Sequence, residues 1–276
     1  MKKTLMLFVL VIICQTTIAQ TEKRFYVNTN FGYNIGTGNV NFYQAQLLGI
    51  VNGTETSATQ SSYEIVKTNL GQGINFGLNV GYMFNKNLGF ELGANYLLGS
   101  EINSSTTSFS GDYNKSSLVS KMLQIRPTVV LRGGFEKINP YAKVGMVIGS
   151  GKIINDQESG DGTDISISTL ELSNGTPIGF HSSVGVLYQL NSKFSVFGEL
   201  NLVSLEYAAN KGKYTKYIEN GTDILPLLSI RDKEFEFIES ELNASATPPS
   251  NQPRKLAKLP LSFNSFGLNF GLQYQF

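Results

Sequence analysis

The sequence predicts an all-β fold, a single barrel of eight antiparallel up-and-down strands that spans a membrane and carries long extracellular loops. Three observations lead to this prediction. Eight segments alternate apolar with small or polar residues at a period of two. The connections between these segments alternate between short and long. The composition, with 28 Gly, 13 Tyr, 18 Phe and no Trp, favours strands over helices.

Residues 1–19 predict a signal peptide. Two lysines follow Met1, an apolar run continues to Cys14, and Thr17-Ile18-Ala19 places small residues where a signal peptidase cuts. We expect cleavage after Ala19, or after Gln20, which leaves 20–276 as the barrel domain. A membrane anchor is the alternative, but the apolar run is too short to span a bilayer comfortably. Cleavage at Cys14 as a lipoprotein is disfavoured because Ile13 is large and branched.

The eight predicted strands share one pattern, in which large apolar side chains occupy every second position. The residues between them are mostly Gly, Asn, Gln and Ser. A soluble sandwich favours Lys, Glu and Thr on its solvated face, whereas small and amide residues suit the cramped interior of a small barrel. The predicted strands are 25–36, 74–84, 88–99, 119–132, 140–149, 178–190, 194–205 and 264–276.

The connections provide a second, independent regularity. Those after strands two, four and six are short, and those after strands one, three, five and seven are long. Outer-membrane barrels have short periplasmic turns and long external loops, and a soluble Greek-key protein has no reason to follow this rule. The short connections are 85–87, 133–139 and 191–193, and the long ones are 37–73, 100–118, 150–177 and 206–263.

The C-terminal segment carries a resemblance to a known family. Phe270, Leu272, Tyr274 and Phe276 alternate with Gly and Gln, and this pattern resembles the terminal motif of outer-membrane barrels. The whole chain resembles the OmpA/OmpX-type eight-stranded barrels and the "outer membrane protein beta-barrel" or porin-family proteins of Bacteroidetes. The resemblance implies an integral outer-membrane location with both termini in the periplasm. It also implies contact with outer-membrane lipid and lipopolysaccharide, and recognition of the terminal motif by the barrel assembly machinery.

Pro127 does not fit the pattern of the fourth strand. Proline cannot donate to a sheet ladder and is rare inside strands. We therefore expect either a bulge at Pro127 or different bounds for the strand.

A set of charged or titratable residues falls on the predicted inner face, and isolated charges there would be costly unless paired. One interpretation is a structural ion-pair network that fills the lumen and fixes the strand register. The other is a polar plug or gate, or a proton path. The structural interpretation is favoured because small barrels are filled by their own side chains. The set comprises Glu91, Arg126, Lys143, His181 and Glu199.

His181 and Ser183 suggest a further hypothesis, a lipid A-modifying enzyme. Such a barrel deacylase uses His, Ser and an acid near the lipid face. Here the strand phase turns both residues into the lumen, and Val184 stands where that family has Asn. The turn at 191–193 sets Glu199 opposite Gly185, about 10 Å from His181 at the rise of a strand, which is beyond hydrogen-bond reach.

The remaining chemistry is sparse. The net charge is +1 and becomes −1 without Lys2 and Lys3, so no nucleic-acid partner is expected. The sequence has no phosphate loop, HExxH motif or EF-hand, and we expect no cofactor or metal. The acidic segment 156–164 is interpreted as a solvated loop. Within 206–263, Asn220-Gly221 predicts a hairpin, 232–243 is open between helix and strand, and 247–253 predicts irregular chain.

The sequence therefore favours a non-enzymatic outer-membrane protein with a structural or interaction role. Its long loops are the expected site for a surface ligand or an envelope partner. A narrow channel for ions or small solutes is the alternative, and the lipid A-modifying enzyme is a third hypothesis.

Overall fold

The computed structural model describes residues 24–38, 51–57, 60–66, 69–239 and 249–276. The predicted signal peptide, 1–19, lies outside these residues. Eight strands form the barrel, and we number them β1 to β8 in chain order. Their bounds are Phe25–Gly36, Gly73–Met83, Leu88–Gly99, Tyr113–Arg132, Ile138–Gly160, Ile178–Gln189, Phe194–Ser204 and Ser265–Gln275.

The strands form a closed barrel in which each is antiparallel to the next. β1 pairs with β2 on one side and with β8 on the other, so the first and last strands close the sheet. β3 pairs with β2 and β4, β5 with β4 and β6, and β7 with β6 and β8, which completes the ring. Closure leaves no free edge in the ring, as a lipid environment requires. The predicted all-β barrel of eight strands is confirmed.

The alternation in the sequence becomes an apolar outer wall and a polar lumen. Phe31, Leu78 and Val184 point outward and are 61%, 53% and 57% exposed. Asn28 and Asn75, on the opposite face, are buried. A continuous exposed apolar band is unfavourable in water and favourable against lipid chains. The predicted facing of the strands is therefore the observed one.

Two of the short turns are closed by an asparagine side chain. Asn85 Oδ1 accepts hydrogen bonds from the backbone N–H groups of Asn87 and Leu88, at 2.9 and 2.8 Å. Asn191 Oδ1 accepts from Lys193 and Phe194, both at 2.9 Å. This is the usual geometry of an Asx turn. We call the end of the barrel that carries the short connections the turn end, and the opposite end the loop end.

Two strands are much longer than predicted. β4 begins at Tyr113 instead of 119, and β5 ends at Gly160 instead of 149. The predicted solvated loop 156–164 is therefore strand as far as Gly160. The other six strands begin and end within one residue of their predicted bounds. The extensions escape sequence analysis because both of their faces carry polar residues, so the period-two contrast disappears.

Further strands pair with these extensions and form what we call the outer sheet. Ile165–Gly175 pairs with β5, and Lys211–Glu219 pairs with Ile165–Gly175. On the other side Ile102–Thr107 pairs with β4. The remaining strands of this sheet are Val51–Ser57, Gln60–Ile65, Thr222–Asp223, Glu234–Ile238 and Arg254–Ala257. No helix in the described ranges is long and apolar enough to cross a membrane.

Pro127 causes neither a bulge nor a change of register. It pairs with Leu92 of β3, and on the β5 side Ile125 pairs with Ile148 and Thr128 with Gly145. No residue is inserted between these pairs, and only Arg126 and Pro127 lack partners in the β5 ladder. This is the gap expected where the proline nitrogen faces Met146, because it has no hydrogen to donate. The expected bulge is wrong, whereas a change of strand bounds did occur.

The loop predictions have mixed outcomes. Asn220 and Gly221 have φ values of 49° and 80° and join strands that pair through Glu219 and Thr222, which confirms the hairpin. The segment left open between helix and strand contains both, with one helical turn at Ile230–Lys233 and then the strand Glu234–Ile238. Residues 249–253 form no regular element, as predicted, and 240–248 lie outside the described residues.

Candidate functional site: the lumen and the outer sheet

All five predicted lumen residues lie inside the barrel. Their side chains alternate with lipid-facing apolar residues, so the strand period sets their direction. Each is almost fully buried. The exposed fractions are 4% for Glu91, 4% for Arg126, 8% for Lys143, 5% for His181 and 5% for Glu199.

Three of the five form a compact group, the lumen ion cluster of Glu91, Lys143 and Glu199. Lys143 Nζ lies 2.9 Å from Glu91 Oε1 and 3.4 Å from Glu199 Oε2. Lys143 lies on β5 and Glu199 on β7, and β6 pairs with both of these strands. Glu91 reaches the lysine from β3, across the lumen. The cluster therefore connects opposite walls of the barrel.

Neighbouring donors complete the environment of both carboxylates. Tyr26 Oη and Asn28 Nδ2 each donate to Glu91 Oε2 at 2.9 Å. Tyr141 Oη donates to Glu199 Oε2 at 2.9 Å, and Asn269 Nδ2 donates to Glu199 Oε1 at 3.2 Å. Buried carboxylates are tolerated when such bonds replace water.

Glycines make room for the two tyrosine rings. A Cβ atom on Gly81 would overlap the ring of Tyr26, and one on Gly185 would lie 2.6 Å from Tyr141 Cζ. Real side chains do not approach that closely. Gly81 and Gly185 on the inner face therefore leave the space for the two tyrosines that donate to the cluster carboxylates.

Arg126 and His181 stand apart from the ion cluster. Arg126 Nε donates to Gln124 Oε1 at 3.2 Å, and Arg126 Nη2 donates to the same oxygen at 2.5 Å. Within the described ranges, no carboxylate lies within 4 Å of the guanidinium, and neither ring nitrogen of His181 has a hydrogen-bond partner. Among the described residues, the direct ion pairs of the predicted lumen network are therefore those of Lys143 with Glu91 and Glu199.

The enzyme hypothesis fails its geometric requirement. Gly185 is opposite Glu199, as predicted, and His181 is opposite Val203. Ser183 Oγ donates to Glu199 Oε2 at 3.4 Å, so its partner is the acid rather than the histidine. A nucleophile must be bonded to its base, and the base to its orienting group. The described chain does not arrange these three residues in that way.

An apolar plug occupies the lumen toward the loop end, and sequence analysis did not predict it. Its wall consists of inward-facing residues such as Leu97, Met122 and Val147, each at most 2% exposed. The chain between β7 and β8 and the segment before β2 supply the rest. The plug is the buried group Leu70, Leu97, Leu118, Met122, Val147, Ile153, Val203, Leu205, Tyr207, Leu261 and Phe263.

Polar contacts fix the plug to the barrel. Glu206–Tyr207 pairs with Leu261–Ser262 as a two-stranded ribbon. Tyr207 Oη donates to the carbonyl of Gly151 at 2.8 Å, and the N–H of Leu70 donates to the carbonyl of Ser262 at 3.1 Å. The aromatic rings of Tyr207 and Phe263 lie 5.6 Å apart. The plug thus has the packing and hydrogen bonding of a small protein core.

The outer sheet contains a polar groove of about 580 Å³. Its lining is mainly serine, asparagine and glutamine with a few charges, and Ser105 lies exposed within it. Such side chains carry many hydrogen-bond donors and acceptors. The groove, which we call the outer groove, is lined by Asn52, Asn103, Ser104, Ser105, Lys115, Ser116, Ser117, Asp156, Gln157, Glu158 and Ile167.

Charges beside the outer groove are paired. Lys115 Nζ and Tyr113 Oη both donate to Glu158 Oε1 at 3.2 Å. These hydrogen bonds favour the ionised carboxylate and lower the pKa of Glu158 below its ordinary value. At the tip of the β5 hairpin, the backbone N–H groups of Asp164 and Thr163 likewise lower the pKa of Asp161.

A family comparison identifies the fold family. Residues 5–222 match the model of the outer membrane protein beta-barrel domain, which is more than half of the chain. The chain belongs to this family. It is therefore an outer-membrane β-barrel protein, and the predicted family resemblance is confirmed. Among curated proteins, none is significantly similar to the chain.

Solved barrels with related architecture are distant in sequence. Neisserial surface protein A is 12% identical, with 91% of this chain and 97% of that one covered and a TM-score of 0.36. OprG from Pseudomonas aeruginosa is 12% identical, with coverage of 92% and 96% and a TM-score of 0.44. Ail of Yersinia pestis is 9% identical, with coverage of 93% and 100% and a TM-score of 0.37.

The predicted assembly residues of this barrel all lie on the outer face of β8 or at its end. Phe270, Leu272 and Phe276 are 60%, 43% and 62% exposed, and Tyr274 is half-buried. The N–H of Phe276 donates to the carbonyl of Phe25 at 3.1 Å.

In the described ranges, no three His, Cys, Asp or Glu side chains are grouped so that they could hold a metal ion.

Proposed function

We propose that this outer-membrane barrel is a non-enzymatic surface protein whose sealed barrel anchors the outer sheet as a platform for interaction. The observation that carries the proposal is that the barrel and the outer sheet differ in character. Inside the barrel, the apolar plug and the lumen ion cluster fill the space between the turn end and the loop end. Beyond the loop end, β4 and β5 continue as strands and carry the outer sheet with its groove.

The platform points away from the cell in this proposal. Long loops of outer-membrane barrels are external and short turns are periplasmic, so the turn end and both termini face the periplasm. Residues 1–19 act as the cleaved export signal. Phe270, Leu272, Tyr274 and Phe276 act as the assembly signal, with the lipid-facing apolar wall in contact with outer-membrane lipid and lipopolysaccharide.

Cysteine labelling tests this orientation. Cys14 is the only cysteine in the chain and lies in the predicted signal, so a single cysteine introduced later can be labelled selectively. Thr163→Cys, at the exposed tip of the β5 hairpin, is expected to react with an impermeant maleimide on intact cells. Lys86→Cys, in a short turn, is expected to react only after the outer membrane is opened. Labelling in the opposite order contradicts the orientation.

The outer groove is the proposed interaction site, and a polar surface polymer is the proposed ligand class. Its hydroxyl, amide and carboxylate groups suit the hydroxyl groups of a polysaccharide. Ail, one of the solved barrels, has been crystallised with the heparin analogue sucrose octasulfate. That contact belongs to Ail, and the proposal here depends on the composition of this groove.

Filling the groove tests the interaction. The protein in nanodiscs would be titrated with three probes: lipopolysaccharide, acidic alginate and neutral dextran. We expect at least one probe to bind. Ser105→Trp is expected to weaken that binding about tenfold, a loss of about 1.4 kcal/mol of binding free energy, because the indole occupies the groove. Thr163→Trp, exposed but outside the groove lining, is the matched control. Absence of binding, or an equal loss in both variants, contradicts the groove as the site.

A further inference from the structure

The turn end of the barrel opens into a strongly basic mouth. It encloses a pocket of about 480 Å³ whose lining includes four cationic side chains and one carboxylate, that of Glu136. This imbalance contrasts with the nearly neutral chain, which has 22 basic and 21 acidic residues. The four cations are Arg24, Lys86, Arg132 and Lys137.

Two cations of this basic mouth, Arg132 and Lys137, contact neutral groups. The guanidinium of Arg132 lies 4.6 Å from the ring centroid of Tyr26, and its Nη2 donates to Gln273 Oε1 at 2.9 Å. Lys137 Nζ lies 5.8 Å from the ring centroid of Tyr188. Among the described residues, neither Arg132 nor Lys137 has a carboxylate within 4 Å. Their positive charge is therefore available to an anion.

Neutral hydrogen-bonding groups surround these charges. The same pocket is lined by Asn85, Asn139, Gln189, Ser192 and Ser195. Amide and hydroxyl donors beside a guanidinium are the usual surroundings of a bound phosphate, since Arg matches phosphate oxygens in a bidentate manner. A carboxylate would need fewer donors than this mouth provides.

An aromatic belt sets the level of the mouth in the membrane. Aromatic side chains crowd the turn end, and Phe25 and Tyr82 have ring centroids 4.7 Å apart. Such belts lie at the boundary between hydrocarbon and headgroups, where the anionic group of a lipid is a phosphate. The belt consists of Phe25, Tyr82, Phe84, Phe135, Tyr188, Phe194, Tyr274 and Phe276.

We propose that the basic mouth at the turn end is a binding site for a phosphate group, in which Arg132 is the central ligand and Lys86 and Lys137 are the flanking cations. The phosphate belongs either to the headgroup of an anionic phospholipid in the adjacent leaflet or to a small soluble ion. The lipid source depends on the proposed orientation, which the labelling of Lys86→Cys tests separately. The phosphate chemistry itself does not depend on it.

Two binding measurements on the full-length protein test the site. The first titrates inorganic phosphate onto the protein in a neutral detergent and follows 31P NMR line broadening. The second measures enrichment of phosphatidylglycerol over phosphatidylcholine around the protein in nanodiscs of mixed lipid. Saturable phosphate binding alone indicates a soluble ion, and headgroup enrichment indicates a lipid. The absence of both overturns the proposal.

Variants connect the binding to the mouth. Lys86 and Lys137 lie exposed on turns, so the Lys86→Gln/Lys137→Gln pair is expected to fold normally and to weaken binding about tenfold or more. Arg132→Gln is expected to weaken it at least as much. Lys216→Gln, which removes an exposed lysine from the outer sheet, is the matched control. An equal loss in the control and in the mouth variants indicates general attraction to cations and overturns the site.

Discussion

At the scale of single residues, Lys143 explains how charges persist inside the barrel. Its ammonium lies between Glu91 and Glu199, and tyrosine hydroxyls and asparagine amides satisfy the remaining carboxylate oxygens. A buried ion pair contributes little net stability compared with apolar packing, but removal of one partner leaves an uncompensated charge. Lys143 therefore matters mainly because, without it, Glu91 and Glu199 would be buried carboxylates with no cation.

Lys143→Met is expected to lower the free energy of unfolding by about 3–5 kcal/mol, because two buried carboxylates lose their cation. Urea unfolding in lipid vesicles, followed by circular dichroism, measures the change. The Glu91→Gln/Glu199→Gln double variant added to Lys143→Met is the control, and it is expected to recover most of the loss. A loss that persists in the triple variant would mean that lost packing, rather than charge, explains the effect.

Gly81→Ala tests the close approach of Tyr26 to the strand wall. The added methyl group overlaps the tyrosine ring, so the ring must move and its bond to Glu91 must weaken. We expect a loss of about 1–3 kcal/mol, the usual cost of overpacking, measured by the same urea unfolding. Gly198→Ala is the matched control, because its Cβ would meet only the Phe270 ring at 3.5 Å. Equal stability of the two variants contradicts the account of the glycines.

At the scale of elements, the strands show where sequence patterns succeed and where they fail. The eight membrane segments are predictable because lipid on one face and a crowded lumen on the other impose strict alternation. The extension of β5 from 150 to Gly160 is not, since both of its faces carry polar residues and the apolar Ile153 and Ile154 are adjacent in sequence. Pro127 suggested a bulge from local chemistry alone, yet the pairs on either side of it hold the register.

Pro127→Val is expected to stabilise the barrel by about 1 kcal/mol, the typical net value of one hydrogen bond. The new N–H faces the carbonyl of Met146 and closes the gap in the β4–β5 ladder, and valine suits the lipid-facing position. Urea unfolding gives the stability, and hydrogen exchange by NMR is expected to show a protected amide at residue 127. A variant that is less stable and has an unprotected amide contradicts the register described for this gap.

The outer sheet carries a pH-dependent contact between Lys115 and Glu158. Because its pKa is lowered in the folded protein, Glu158 contributes stability above its unfolded pKa of about 4.3, and that contribution disappears as the pH falls through the folded value. Lys115→Gln is expected to raise the pKa of Glu158 toward its ordinary value. A 13C NMR titration of the glutamate side chain measures this shift, and an unchanged pKa contradicts the pairing.

At the scale of the whole molecule, the lumen has two parts of different origin. The inward charges were predictable from the strand phase, and the structure brings Glu91, Lys143 and Glu199 together while leaving Arg126 and His181 apart. The plug was not predictable, because Tyr207 and Phe263 are far apart in sequence and meet only when β7 and β8 pair. The local sign was an interruption of the alternation, as at Leu97 and Val147, where the inner face is apolar.

We propose that the barrel is closed and anchors its outer sheet. A packed apolar plug and a buried ion cluster occupy the described lumen, and eight strands enclose only enough space for side chains. Conductance of the purified protein in a planar lipid bilayer distinguishes a closed barrel from a channel. We expect no single-channel steps under conditions in which a general porin conducts. Stable, reproducible steps from the wild-type protein would contradict it.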